Sequence, residues 1–493
     1  MRFLLLIPVL ICCTTLTYAQ TDVDALRYSS TQPLGTARSS AMGGAMTGLG
    51  GDISALNINP AGLGQMGISE FSFSGGFSVT SSENLYLGNS SNEKKTAFQL
   101  NNLGIVYVPK KNFKKIKNIS LAASYNRLAN FSSRIYGNGK NTTSSLTDSY
   151  AELLTGVGAD SSAALNNYPY GASLAFEGEL IGMTPDRFFY SFLELPLKQQ
   201  ISINRKGNIS EYNFGTGIAF NDQIMLGVSI GIPTINFEEE LYFKETDKGD
   251  LTPDFNYWEK TDRVRTEGSG INARFGVLYL PTSNLRLGAS FTTPTRYNIR
   301  DRYLTYFKSD FTQYTIDNFQ APTEGYFDYN MTTPLKFNVG ATGLSEKLGL
   351  ITVDYEFSNP GKTRYSFDDR QYNLKDYETQ LNSGIQTKYK ATHTVRAGLE
   401  SRFLDYYRAR VGFQYRSSAF ADQSAMDDLA KNRMLAFSGG LGYRGKTFYI
   451  DATYVHTITD ELIVPYTVNL AESPLLTSKY NRGNFIVSLG FKF

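Results

Sequence analysis

The stretch NFIVSLGFKF, residues 484–493, alternates apolar side chains with a second set that includes Ser, Gly and Lys. One face carries Phe485, Val487, Leu489, Phe491 and Phe493. The same alternation recurs in ITVDYEFS (351–358) and RARVGFQYR (408–416), and it continues through the chain from Phe71 onward. Because successive side chains of an extended strand point to opposite faces, the pattern predicts strands with one apolar face.

Alternation alone fits both a soluble β-sandwich and a transmembrane barrel, and three further features favour the barrel. Tight connections, such as 220–223 and 443–446, alternate with long polar ones, like the two rims of an outer-membrane barrel. Many alternating stretches exceed the roughly 5–6 residues of a soluble strand. The sequence also stops on the apolar face, at Phe493. We therefore predict an all-β protein, a transmembrane antiparallel β-barrel of about 14 strands. Long connections are predicted after strands that end near Thr80, Phe131, Phe243, Tyr306, Asn359, Ala419 and Thr459.

The first twenty residues, MRFLLLIPVLICCTTLTYAQ, have the features of a secretory signal peptide, with Arg2 before an apolar run and a small-residue site at Ala19. We predict that residues 1–19 are removed. A lipoprotein signal at Cys12 or Cys13 is an alternative, but the residues before these cysteines are not the small ones that such a signal needs. A membrane anchor is another, but the apolar run is shorter than the ~20 residues that span a bilayer.

The remaining composition argues against several functional classes. Both cysteines lie in the predicted leader, so the rest of the chain offers no disulfide, zinc cluster or cysteine nucleophile. A net charge of +2 gives no indication of a nucleic-acid partner. The only histidines, His393 and His456, are far apart, which disfavours a metal pair or a Ser-His-Asp triad. We therefore expect no enzyme activity, no metal and no cofactor.

The segment before the first strand, residues 20–67, is rich in Gly and Ala and lacks clean alternation. It contains DISALNINPAGLGQMG (52–67), with the triplet Asn59, Pro60 and Ala61. Pro60 lacks an N–H group and biases Asn59 toward an extended conformation, which fixes a bend. The small residues allow the backbone to approach a wall closely. Alternatively, the triplet only begins a turn into the first strand.

This segment resembles the N-terminal hatch of the FadL/TodX family of outer-membrane channels for long-chain fatty acids and other hydrophobic compounds. The resemblance rests on ARSSAMGGA (37–45), on GDISALNINPAGL (51–63), on the strand number and on the C-terminal Phe. It implies a hatch at 20–67 that plugs the lumen and a barrel at 68–493 with long extracellular loops. In that family the ligand leaves after hatch rearrangement, sideways through a gap in the wall at the third strand.

Charged residues on the predicted lumen rows have two interpretations. They pair across the wall, which is the default because buried charges are costly unless paired, or some of them bind the carboxylate of a fatty-acid-like ligand. The candidate anchors are Arg396, Arg408 and Arg410. Apolar islands at 150–165 and 188–195 in the largest loop predict either a groove through which ligand enters or packing of that loop on itself.

The third apolar row, in LAASYNRLANF (121–131), is interrupted by Arg127, and apolar residues resume at Leu128. A lipid-facing arginine costs about 2–4 kcal/mol at the membrane midplane and little near the rim. Either Arg127 already lies at the rim, or a one-residue bulge near Asn126 flips the register. Asn126 and Arg127 are therefore candidates for a lateral opening. Phe493, on the last strand, resembles the signal read by the barrel assembly machinery.

These observations predict a bacterial outer-membrane channel for passive uptake of hydrophobic small molecules such as long-chain fatty acids. The expected partners are the hydrophobic ligand, outer-membrane lipid and the barrel assembly machinery, and we expect a monomer. The alternative is a barrel that transports nothing and serves as a secretion-system shuttle or a structural platform. Ligand binding by the purified barrel separates the two.

Overall fold

The computed structural model describes residues 22–32, 34–110, 116–320, 324–346, 349–367, 374–421 and 432–493. Fourteen antiparallel wall strands form a closed barrel, because the first strand pairs with both the second and the last. The prediction of an antiparallel barrel of about 14 strands is confirmed. The predicted signal peptide, residues 1–19, lies outside the described residues.

The wall strands are numbered β1–β14 in chain order. Their bounds are β1 Glu70–Tyr86, β2 Asn89–Tyr107, β3 Asn118–Asn130 continued by Ser133–Asn141, β4 Leu197–Ala219, β5 Ile224–Thr246, β6 Phe255–Thr282, β7 Leu285–Thr292 continued by Arg296–Phe311, β8 Thr315–Gln320 continued by Gly325–Thr332 and Lys336–Ser345, β9 Gly349–Ser358 continued by Arg364–Phe367, β10 Thr392–Phe403, β11 Tyr407–Arg416, β12 Met434–Arg444, β13 Phe448–Ile463 and β14 Leu476–Lys492. The interrupted strands count as one because their segments pair with the same neighbouring strand.

Exposed apolar side chains form a band around the barrel, on the rows that the alternation predicts. On β14, for example, Phe485 and Phe491 are 50% and 54% exposed, whereas the intervening Ser488 is buried. One end of the barrel carries the short turns and the first and last wall residues, and we call it the inner end. The opposite end is the outer end. Beyond the band, toward the outer end, the strands continue with polar outward faces.

Several predicted strand ends were wrong because these outer extensions remain paired strands. β1 continues past Thr80 to Tyr86 and returns through a tight hairpin, in which Leu87 and Gly88 have φ of 47° and 79°. Positive φ at both central residues is what a two-residue hairpin turn requires. β7 likewise continues past Tyr306 to Phe311, whereas β5 ends at Thr246, close to the predicted end near Phe243. Outside the membrane the outward face meets water, so a strand there loses the apolar row on which the prediction depended.

The helices lie inside the barrel or at its outer end. The lumen contains α1 Asp22–Ser29, α2 Ala37–Ala41, α3 Ala55–Ile58 and a 3-10 helix at Pro60–Gln65. The outer end carries α4 Leu146–Gly156, α5 Ser161–Asn166, α6 Ala172–Glu177 and a two-stranded ribbon of Ile181–Met183 and Phe189–Ser191. A 3-10 turn at Pro360–Lys362 lies between the two segments of β9, and α7 Lys375–Lys388 lies between β9 and β10. Among the described residues, no helix combines the length and apolarity needed to cross a bilayer.

The N-terminal segment plugs the lumen, as the hatch prediction states. Its side chains at Ala37, Met42, Met46, Ile53 and Leu56 are at most 1% exposed. Their partners are one another and the inward face of the wall. The domain boundaries at residues 20, 67 and 68 stay predictions.

The barrel closes at the seam between β1 and β14. The ladder runs without a register shift from Glu70–Lys492 to Tyr86–Leu476. One residue beyond it, the Phe493 amide donates to the carbonyl of Ser69 at 3.0 Å. The last residue therefore extends the pairing that closes the edge of the sheet.

Replacing Phe493 with Asp is expected to reduce the yield of assembled barrel several-fold. A charge would then stand where the apolar row of β14 ends, on the strand that must be recognised and paired to remove the last free edge. Heat-modifiable migration of the membrane fraction on gels measures the yield. Phe493→Leu, which keeps an apolar side chain, is the control and should assemble normally. Equal yields of the Asp and Leu variants would contradict a role for Phe493 in assembly.

Candidate functional site

The Asn59-Pro60-Ala61 triplet lies where the hatch meets the wall. Asn59 is extended, with φ −142° and ψ 98°, and its Oδ1 accepts a hydrogen bond from the Ala61 amide at 3.2 Å, while Pro60 begins the 3-10 helix. The Asn59 Nδ2 donates to the carbonyl of Thr47 at 2.7 Å and to that of Val277 on β6 at 3.0 Å. One side chain thus joins two parts of the hatch to the barrel wall.

Glycines on the inward face of the wall make room for the hatch backbone. A Cβ atom added to Gly227 on β5 would lie 2.2 Å from the Ala61 nitrogen, and one added to Gly276 on β6 would lie 1.9 Å from the Asn59 Oδ1. Other wall glycines whose added Cβ would contact the hatch are Gly217, Gly288, Gly340, Gly398, Gly412 and Gly440. These distances are shorter than any Cβ contact tolerates, so the inner surface of the barrel is shaped for this plug.

A chain of ion pairs also fastens the hatch to the inner half of the wall. The Arg38 Nε of α2 donates to Glu400 Oε2 at 3.2 Å, and the same oxygen accepts from Arg410 Nε at 2.6 Å. Arg410 Nη1 donates to Asp451 at 2.6 Å, and Arg444 donates to the second oxygen of Asp451 at 2.9 Å. Arg410 is 2% exposed. These buried charges are paired, as the cost of burying them requires.

Between α1 and the rest of the hatch lies a small chamber of about 80 Å³. Two ion pairs border it: Arg274 Nη2 donates to Glu211 Oε2 at 2.7 Å, and Arg396 Nη2 donates to Glu356 Oε2 at 3.1 Å. Small-molecule sites usually measure about 300–1,000 Å³. The chamber is therefore too small for a long apolar ligand, and the hatch closes the lumen at this level.

A larger cavity, the upper pocket, lies on the outer side of α1 and measures about 410 Å³. Its apolar lining consists of Val23, Leu26, Phe131, Tyr389, Phe420, Leu462 and Val464. Charged lining residues are Arg27, Arg205, Lys388, Arg416, Asp460, Glu461 and Arg482. Its volume is typical of a small-molecule site, and its lining combines an apolar part with seven charged residues.

Two of these cations make no close ion pair with a carboxylate among the described residues. The others are paired: Arg27 with Asp24 and Glu239, Arg205 with Glu239 and Glu461, and Lys388 with Asp22. Arg482 donates to Thr80 Oγ1 at 3.0 Å and to the carbonyl of Asn130 at 2.9 Å. Arg416, in the part of the chain that the structure describes, makes no hydrogen bond or ion pair within 4 Å, and the carboxylate that acts on it electrostatically is that of Glu356. The pocket therefore presents two guanidinium groups that an acid could bind.

The wall next to this pocket has a gap between β2 and β3. Their ladder ends at the pair Asn102–Asn126, and beyond it the described residues of β2 pair only with β1, and those of β3 only with β4. On β1, Gly75 lies opposite Leu100, and the nearby Phe77 is 55% exposed on the apolar band. The unpaired part of the wall therefore begins within the membrane.

Side chains bridge the gap where main-chain hydrogen bonds do not. The Arg127 Nε of β3 donates to the carbonyl of Leu100 on β2 at 3.1 Å. Farther toward the outer end, the Lys95 Nζ of β2 reaches β4 and donates to the carbonyl of Arg205 at 2.6 Å. Asn130 and Arg205 line the upper pocket as well as this gap. The pocket and the opening in the wall are thus adjacent.

A plugged barrel of this architecture is similar to solved structures of known channels. A Pseudomonas aeruginosa FadL homologue matches with a TM-score of 0.54 and 11% identity, over 94% of this chain and 99% of that chain. The P. putida toluene transporter TodX matches with a TM-score of 0.51 and 12% identity, over 94% and 99%. The fold is that of the FadL/TodX channels. The CymD monoaromatic hydrocarbon channel, at a TM-score of 0.50 and 11% identity over 94% and 99%, has it too. No protein-family model and no curated protein sequence matches the chain.

In this FadL-type barrel the three predicted carboxylate anchors lie at different levels. Arg396 borders the small chamber, and Arg410 belongs to the ion-pair chain of the hatch. Arg408 lies at the inner turn and donates to the carbonyls of Asp405 and Tyr407, at 2.9 and 2.8 Å. The structure does not bring the three together, and their role as anchors stays a prediction.

Arg416 and Arg482 are not among the carboxylate anchors that the sequence predicts. Arg416 is the last residue of the alternating stretch 408–416, and Arg482 lies just before the alternating stretch 484–493. Their position on a lumen row could be read from the sequence, but the absence of a close ion pair could not. The irregularity predicted near Asn126 and Arg127 is a register shift between Arg127 and Ala129, so Leu128 is the extra residue. Whether this site opens laterally stays a prediction.

The outer end of the FadL-type barrel is covered by a cap that consists of α4–α6 and the ribbon. Both predicted apolar islands belong to it, and each is divided between interior and surface. Tyr150, Leu154 and Phe189 are buried against the wall aromatics, whereas Phe188 and Phe192 are 53% and 44% exposed. The islands therefore pack on the barrel and also leave an apolar surface facing outward.

Glu245, at the outer end of β5 and far beyond the apolar band, fastens this cap. Its carboxylate accepts hydrogen bonds from Ser145 Oγ at 2.5 Å, Leu146 N at 3.2 Å, Gln199 Nε2 at 2.7 Å and Trp258 Nε1 at 2.8 Å. Burial raises the pKa of Glu245 to about 7, although the four donors act in the opposite direction. A raised pKa in the folded state means that protonation stabilises the attached cap, and that this contribution is lost as the pH rises through about 7.

Replacing Gly227 with Ala is expected to displace the hatch and let small polar solutes pass, because the new Cβ would lie 2.2 Å from the Ala61 nitrogen. Liposome swelling in a sugar solution measures the leak, and a variant that lacks residues 20–67 sets its upper limit. The control is Gly439→Ala, where the nearest atom, the carbonyl oxygen of Arg410, is 3.9 Å away. A folded Gly227→Ala barrel as tight as the control would contradict the fit between the wall glycines and the hatch.

Proposed function

We propose that this protein is a bacterial outer-membrane channel for passive uptake of hydrophobic small molecules with an acidic head, such as long-chain fatty acids. The observation that carries the proposal is the upper pocket, which combines apolar walls with two guanidinium groups and borders a gap in the membrane-embedded wall. The fold supports it, since the similar solved structures include a toluene transporter and a monoaromatic hydrocarbon channel.

The ligand lies in the upper pocket with its carboxylate at Arg416 and Arg482. Guanidinium groups bind carboxylates through charge-assisted, often bidentate hydrogen bonds. The hydrocarbon tail packs against Leu26 of α1, Phe131 and Phe420, which are on the lining of the same cavity. Head and tail thus meet chemically matched surfaces in one pocket.

Release proceeds sideways through the gap between β2 and β3. It requires Arg127 and Lys95 to exchange their bonds to backbone carbonyls, and α1 to shift, since Tyr28 of α1 packs edge-on against Phe131 at 6.2 Å between ring centres. On the lipid side, a shallow apolar groove next to the gap is lined by Phe73, Phe77, Phe98, Phe485, Val487 and Leu489. An emerging tail therefore passes from the pocket to an apolar surface.

The remaining parts of the proposal concern partners. The barrel is inserted by the barrel assembly machinery, is surrounded by outer-membrane lipid through its apolar band, and acts as a monomer with its own complete lumen. No nucleic acid and no cofactor take part.

A long-chain fatty acid is expected to bind the purified barrel, and Arg416→Gln to weaken this binding about tenfold, since a hydrogen bond to a charged group contributes about 1.5–3 kcal/mol. Displacement of a fluorescent fatty acid measures the affinity. The control variant is Arg408→Gln, at the inner turn. A fatty alcohol of equal length should bind both variants alike. Failure of the barrel to bind any hydrophobic ligand would contradict the channel and favour the structural platform.

Closing the gap is expected to stop release without preventing binding. Cysteines introduced together at Leu100 and Arg127, across the gap, are joined by a short thiol-specific cross-linker, and fatty-acid transfer into proteoliposome membranes is then measured. A matched pair at Ile105 and Ala123, which are already opposite each other in the ladder, is the control. Equal transfer by the two cross-linked barrels would show that ligand leaves by another route.

A further inference from the structure

An outward-facing groove on β6, β7 and β8 lies just beyond the apolar band, and the transport function does not use it. It measures about 360 Å³ and is lined by Ser269, Gly270, Ile271, Arg296, Tyr297, Asn298, Asn330 and Thr332. No carboxylate lines it. Four of its polar side chains, those of Ser269, Arg296, Asn298 and Asn330, are exposed on the outside of the barrel.

Arg296 is the charged group of this groove. Within the described ranges, its guanidinium has no hydrogen-bond or ion-pair partner. The acids nearby are already engaged by other arginines. Arg300 binds Asp328 through two hydrogen bonds of 2.6 and 2.7 Å, and Arg265 binds Glu267 at 2.6 Å. The groove therefore presents an uncompensated positive charge next to hydrogen-bonding hydroxyl and amide groups.

The height of the groove coincides with the edge of the bilayer. Arg296 lies opposite Ile271, the outermost exposed apolar residue of the β6 row that begins at Tyr279. The strand between Tyr279 and Ile271 has eight steps of about 3.3 Å each, and at a tilt of about 40° these steps span roughly 20 Å along the membrane normal. This is close to the apolar band of about 25 Å that such barrels present to lipid. Arg296, opposite this outermost apolar residue, is thus at the outer edge of the apolar band, where the lipid headgroups begin.

We infer that this groove binds the phosphate of a lipid headgroup in the leaflet that surrounds the outer end of the barrel. Phosphate oxygens accept bidentate hydrogen bonds from arginine, and the amides and hydroxyls of Asn298, Asn330 and Ser269 supply further donors around it. A lipid anchored by its acyl chains along Ile271 and Phe275 brings its headgroup to this level. The inference rests on the transmembrane fold and is independent of transport.

The test uses the full barrel in neutral detergent with lipid A, a phosphorylated glycolipid, and the same lipid after removal of its phosphates. Native mass spectrometry measures the fraction of barrel that retains lipid. Arg296→Gln is expected to lower retention of lipid A about fivefold, because this is the contribution of one basic residue to binding at an anionic surface. Arg296→Lys keeps the charge and should preserve most of the retention. The dephosphorylated lipid should bind the wild-type barrel about as weakly as lipid A binds Arg296→Gln.

The matched control is the double variant Arg300→Gln with Asp328→Asn, which removes a neighbouring ion pair without changing the net charge, and it should retain lipid A normally. Equal retention by wild type and a folded Arg296→Gln variant would overturn the inference. Equal retention of lipid A and its dephosphorylated form by the wild type would also overturn it, even if the variant failed to fold. Displacement of the lipid by inorganic phosphate alone would show a free-anion site instead of a headgroup site.

Discussion

The structure depends on the need to pair every backbone N–H and C=O group that lies in hydrocarbon. Fourteen strands satisfy it by closing on themselves at the β1–β14 seam, where the ladder is continuous. The gap between β2 and β3 departs from this rule within the apolar band. There the side chains of Arg127 and Lys95 replace main-chain donors. Side-chain donors can move without breaking a ladder, which is the physical basis of the proposed exit at this point.

Closure creates a second problem, because a barrel of fourteen strands encloses a lumen wider than side chains alone can fill. The hatch fills it with backbone more than with large apolar groups. Its contacts with Gly227 and Gly276, and the side-chain bonds of Asn59, bring main chain directly against main chain. This explains why the segment is rich in Gly and Ala. A plug built in this way has polar contacts that water can replace, whereas a plug with a large apolar core would resist displacement.

Most of the fold could be predicted from the sequence, because the lipid-facing rows alternate with polar rows wherever the wall meets hydrocarbon. The outer extensions could not, since beyond Thr80 on β1 the outward face meets water and the apolar row disappears. The site was harder to predict. Alternation shows on which face Arg410 and Arg416 lie. Only the three-dimensional structure shows that Arg410 forms an ion pair with Glu400, whereas Arg416, in the described chain, makes no hydrogen bond or close ion pair. Pairing across strands depends on register, which alternation leaves open.

The register also explains why the register shift of β3 lies at Leu128, whereas the sequence predicts an irregularity near Asn126. Arg127 interrupts the apolar row, but the outward row itself is regular, and the extra residue, Leu128, points inward and is 5% exposed. A bulge in β3 changes which residue of β4 lies opposite each following residue of β3. The sequence of β3 alone does not identify these β4 partners. Both members of such a pair must be known before a shift can be located.

The two internal cavities define how selective the proposed route is. The lower chamber is bordered by two ion pairs and by Lys336, which donates to Thr31 Oγ1, and it is too small for a long apolar ligand. The upper pocket, by contrast, is apolar along much of its wall and lies beside the gap. A ligand that leaves sideways from the upper pocket never crosses the lower chamber. On this route the hatch bonds to the inner half of the wall stay intact while α1 moves, and a hydrophobic molecule reaches the membrane without an aqueous path opening across it.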